Sequence, residues 1–182
     1  MLIATEKRNA SIAEYILYMW QIENVIRSAK FDVELIDRSI VVPMALDDNQ
    51  REQEIAWYSD LIKKMKEQQI LSSGHLLEIR DLVVELSYLH NSLLNNLKDP
   101  NYGFAYNSAR SFIKELRTKQ GGVTNDEVEI CLNGLYAFWM LKASKKPVSA
   151  DTEKAMGAIS KLIAILSAKY KEMMSAVNEV KN

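Results

Sequence analysis

Along most of the chain apolar residues return every three or four positions, the interval that gathers them on one face of an α-helix, while alternating strands closed by hairpin turns find no convincing stretch. The pattern predicts an all-α protein of about six to seven helices. Ser11 to Glu14 has the spacing of a capping box, and the helix that it opens runs to about Ala29. Asp32 caps a short second helix that Pro43 stops, since proline lacks the N–H and restricts Val42. Asp47 and Asp48 open a third helix to about Gln69, with Ile55, Tyr58, Ile62 and Met65 on one side. The fourth, from about His75 to Leu97, carries Leu76, Ile79, Val83, Leu86, His90, Leu93 and Leu97 in steps of three and four, the seam of a bundle. After Asp99 and Pro100 a fifth helix reaches about Lys119 with Ala105, Ala109, Phe112 and Leu116 inward. A sixth follows the Thr124 to Glu127 capping box as far as Ala143, and a seventh starts at Ser149 with Ala155, Ile159, Leu162, Leu166, Met173 and Val177 as its stripe.

Short connections favour antiparallel neighbours, so the expected architecture is an up-and-down bundle forming one domain over residues 1–182. The first and sixth helices depart from simple amphipathicity. Leu17, Tyr18 and Val25 fall outside the main stripe of the one, and Ile130, Met140 and Leu141 outside that of the other. Helices apolar on so many sides are central in a bundle or lie in an oligomer interface.

Charge narrows the partners. The formal net charge of -1 lacks the basic excess that phosphate neutralisation needs, so nucleic acid is not expected as a partner. Arg110, Lys114 and Arg117 do form a basic stripe, read as a solvated helix face. The single cysteine, Cys131, points inward with Val128, Leu132 and Leu135, which suits a reducing, cytoplasmic setting and an unreactive thiol. The longest stretch without charge, Ile130 to Leu141, is too short to span a bilayer, so no membrane association is expected.

No catalytic motif stands out, and no catalytic residue, metal site or cofactor is assigned. The two histidines, His75 and His90, lie fifteen residues apart on one helix, roughly 22 Å, too far to share a metal. The polar residues that stand out are those on apolar faces. Glu23 and Arg27 fall within the apolar arc of the first helix, four apart with the acid first, where they can pair with each other or form the polar floor of a pocket. His90 sits at the centre of the fourth helix's stripe as a hydrogen-bonded core histidine or a ligand-binding one. Tyr15, Trp20, Trp57 and Trp139 are core aromatics or the walls of a hydrophobic cavity.

The segments IAEYILYMWQIENVIR (12 to 27), GHLLEI (74 to 79), LHNSLL (89 to 94), FIKELRTK (112 to 119) and LYAFWMLKASKKPVSADTEKAMGAISKL (135 to 162) resemble, in order, a family of all-helical bacterial proteins typical of Bacteroidetes, an uncharacterised domain of unknown function. The resemblance implies a small helical protein and carries no catalytic or binding residues with it. The function expected from these readings is that of a non-catalytic helical bundle acting through protein contacts, as a homo-oligomer or with another protein. The alternative is a small-molecule binder or enzyme with a pocket between helices, which leaves enzyme status open.

Overall fold

The structure, a computed structural model, describes residues 1–180, which form eight α-helices and contain no strand. They are α1 (Leu2–Ala10), α2 (Ile12–Ser28), α3 (Val33–Ile36), α4 (Asp48–Glu67), α5 (Leu77–Asn91), α6 (Pro100–Lys119), α7 (Glu127–Ala143) and α8 (Ala150–Val180). The fold is all-α, and α2 to α8 are the seven helices read from the periodicity. The addition is α1. Its sequence LIATEKRNA buries only Ala4, so it has no stripe from which to be recognised.

Helix ends follow side-chain chemistry. The Asp32 carboxylate accepts from the Glu34 and Leu35 amides to start α3. That helix widens into a π-helical turn over Asp37–Val41 and then tightens into a 3₁₀ turn over Val42–Met44, which holds Pro43 and ends at Ala45 with φ of 52°. Asp47 and Gln50 form a reciprocal capping box at α4, and Asp99 caps α6 through the Tyr102 amide at 2.9 Å with Pro100 in the first turn. The start of α7 differs from the expected box. Asp126 is the cap, accepting from the Val128 and Glu129 amides at 2.9 and 3.0 Å, while Thr124 Oγ1 accepts from the Asp126 amide. Glu127 is thereby released from any capping role.

The chain groups into two compact units, Met1–Ala10 with Glu14–Asp81, and Ser11–Ala13 with residues from Leu82 onward. In the first, Ile16, Met19, Ile26, Tyr58, Met65, Leu76 and Ile79 are buried, and α2 is covered on most sides: Leu17, Tyr18 and Val25 are half-buried. The buried Glu54 of α4 takes hydrogen bonds from the Met1 amino group and the Leu2 amide. In the second unit α6, α7 and α8 pack on one another, with Tyr102, Ala105, Ala109, Ile113, Val128, Leu132, Ile159, Leu162 and Leu166 inside. Gly134 of α7 marks a close approach, since a Cβ there would lie 2.6 Å from Leu116 Cδ1 of α6. Among the described residues, no helix is long and apolar enough to cross a membrane.

Candidate functional site

Glu23 and Arg27 sit on α2, and each grips the segment that joins α4 to α5 rather than the other. Glu23 is 0% exposed. Its carboxylate accepts from His75 Nδ1 at 2.5 Å and from the Leu76 amide at 2.8 Å, so the His75 proton on Nδ1 faces the acid. Trp20, one helical turn earlier, stacks on the His75 ring at 4.5 Å between centroids. Arg27 donates to the carbonyls of Ile70 and Gly74 and to Asn24 Oδ1. Gly74 has φ of 89°, a conformation glycine adopts without penalty, and this turns its carbonyl toward the guanidinium. The polar residues on α2's apolar face are therefore a clamp for residues 70–76. A buried carboxylate with two donors is satisfied as an isolated one would not be.

His90 belongs to the second unit and to a different network. Its Nδ1 lies 2.6 Å from the hydroxyl of the buried Tyr102, and its Nε2 lies 3.4 Å from Glu127 Oε2. A carboxylate beside Nε2 calls for a proton there, which leaves Nδ1 to accept from Tyr102. Tyr102 and Tyr106 both meet the imidazole edge to face, at 5.7 and 5.5 Å, and the Tyr106 hydroxyl donates to Glu127 Oε1 at 3.3 Å. The hydrogen-bonding pull of His90, helped by Tyr106 and by the Arg110 charge and opposed by burial, holds the Glu127 carboxyl below its ordinary range. Burial pushes Tyr102 and Tyr106 the other way, toward the neutral phenol.

This network opens on a recess of about 580 Å³ whose lining includes His90, Asn95, Tyr106, Arg110, Asp126 and Glu127. The helical regularity of α5 gives way to a π-helical turn at Ser92–Asn96, and that wider turn carries Asn95 to the rim. Neither Glu23 nor Arg27 lines it, so the three polar residues singled out in the sequence divide between two places. Of the four aromatics, Trp20 stacks on His75, Tyr15 lies under Arg8 at 5.4 Å, Trp57 meets Tyr58 edge-on, and Trp139 is 42% exposed near Tyr136. None of them lines the recess. Tyr102, Tyr106, Arg110 and Glu127 carry no mark in the sequence that sets them apart as partners of His90. Arg110 reads as part of a basic stripe and Glu127 as a capping residue.

A second hollow in the same unit, about 530 Å³, is mostly apolar and lies between α6, the loop before α7, α7 and α8, with Leu116, Val123, Phe138, Leu141 and Met156 in its wall. Cys131 is buried nearby in the sequence of α7, and burial pushes its thiol up to about 12. Among the described residues no group of three or more His, Cys, Asp and Glu side chains is arranged to hold a metal ion.

No curated protein and no solved structure matches the chain. A family model described as a domain of unknown function, DUF4924, matches residues 1–176. With nearly the whole sequence covered by that match, the chain belongs to the DUF4924 family.

Proposed function

We propose that this is a cytoplasmic bacterial protein that acts without catalysis, through protein contacts, and that its first partner is a second copy of itself. The observation that carries the reading is the divided character of α7. Its first half is buried through Val128, Ile130, Cys131 and Leu132, whereas Trp139, Met140 and Leu141 are 42%, 43% and 37% exposed in succession. Three consecutive large apolar residues cover more than half the circumference of a helix, so no single neighbour within the chain covers them all. Next to this ridge lies the apolar hollow walled by Val123, Phe138 and Leu141, and Val123 is 90% exposed. A ridge and a hollow on one surface can be satisfied together by a two-fold pairing of identical copies. The net charge of -1 sets up little repulsion between them. The high thiol value of Cys131 makes it a poor nucleophile, which supports the non-catalytic part of the reading, and a lone buried cysteine suits the cytoplasm.

Light scattering coupled to size-exclusion chromatography tests this. The expected mass is at least twice that of the chain at tens of micromolar, falling to the chain mass in Trp139→Glu and Leu141→Glu with helical circular dichroism unchanged. A native protein that elutes at the chain mass, or an assembly indifferent to both substitutions, would overturn it.

A further inference from the structure

The recess beside His90 shares no lining residue with the apolar hollow, and self-association makes no use of it. Its polar groups are arranged in a particular way. The Arg110 guanidinium on one side makes no hydrogen bond or ion pair among the described residues, yet it is near enough for its charge to act on Glu127 and Tyr106. Two carboxylates at the start of α7 line the same recess. Glu127 is held in orientation by Tyr106 and His90, and Asp126 uses Oδ1 for capping, leaving Oδ2 without a hydrogen bond. Asn91 spends its amide nitrogen on the Ser87 carbonyl and keeps its oxygen for the recess, where Asn95 stands beside it. A positive group and two carboxylates thus line one recess with no ion pair between them among the described residues.

We propose that this recess binds a small zwitterion of the α-amino acid or short peptide class, its carboxylate on Arg110 and its ammonium between Glu127 and Asp126. A guanidinium that has no partner of its own is suited to bidentate capture of a carboxylate. The two acids disfavour phosphate and other pure anions, since each would bring negative charge beside them, and Arg110 disfavours a polyamine in the same way. The side-chain amides supply both donors and acceptors for a backbone-like ligand. A volume of about 580 Å³ falls within the range of small-ligand sites and has room for a dipeptide. Glu127, held in its ionised form by His90 and Tyr106, keeps the negative charge that an ammonium group needs beside it.

Amide-resolved NMR of the full chain, titrated separately with each of the common free amino acids and with alanyl-alanine, tests the proposal. N-acetylalanine, alaninamide, inorganic phosphate and putrescine serve as single-charge controls. At least one zwitterion is expected to give saturable shifts confined to the amides of residues 87–95 and 106–128, with the N-acetylated and amidated forms at least about tenfold weaker. Arg110→Met should weaken binding by a similar factor, while Lys142→Met, outside the recess, should not. Arg110 is exposed on α6, so its loss leaves the fold intact. The proposal falls if no zwitterion gives saturable shifts there, if a single-charge control binds equally well, or if Arg110→Met binds as the native protein does.

Discussion

At the scale of single residues, the buried polar groups explain most of what is unusual in the sequence. A carboxylate on the apolar face of α2 reads first as half of an intrahelical ion pair and second as a pocket floor, and the structure uses Glu23 for a third purpose, to tie His75 and the Leu76 amide to α2. The spacing of Glu23 and Arg27 was legible, as was their inward direction. Their partners were not, because residues 70 and 74–76 meet α2 only through the fold. Removing the Glu23 side chain leaves a backbone donor and an imidazole without their acceptor, the cost of two hydrogen-bonding groups left unsatisfied. Glu23→Ala is therefore expected to lower unfolding free energy by about 3 kcal/mol in urea denaturation, and Glu23→Gln, which keeps one acceptor for the Leu76 amide, by less. Equal losses in the two variants would mean that the amide bond contributes nothing.

At the scale of elements, the caps and breakers decided where helices begin, and they were mostly readable. Asp32, Asp47 and Ser149 do what their positions in the sequence announce, and Asp99, read there only as a breaker beside Pro100, caps α6. The start of α7 was misread by two residues because Thr124 and Glu127 match the capping-box spacing while Asp126, nearer the helix, competes for the role of cap and takes it with two bonds, from the Val128 and Glu129 amides. That competition matters for the site, since it turns Glu127 toward His90 instead of back on its own helix. Asp126→Ala should cost about 1 kcal/mol of stability, with Thr124→Ala costing less because its hydroxyl accepts a single loop amide. Thermal denaturation of the two variants would reject this assignment if Thr124→Ala proved the more damaging.

For the whole molecule, the two compact units are expected to unfold together as one domain. Helices α2 and α5 each run unbroken through the division, at Ala13 to Glu14 and at Asp81 to Leu82. Melting one unit alone would leave a severed helix in the other, which favours a single cooperative transition. Trp20 and Trp57 report on the first unit and Trp139 on the second, so Trp139→Phe and the double variant Trp20→Phe with Trp57→Phe isolate the two signals. Their urea midpoints, each compared with circular dichroism of the same variant, should coincide; separated midpoints would establish two independently folding parts. Helix class, helix number apart from α1, and the inward faces could be read in one dimension, because the repeat of three and four residues and the capping chemistry are local properties of the chain. The company that His90 keeps, the hold of Glu23 and Arg27 on residues 70–76, and the exposure of Trp139, Met140 and Leu141 depend on which helices meet and where each one stops. Tertiary packing alone settled them, since an apolar periodicity states that a face must be covered and is silent about what covers it.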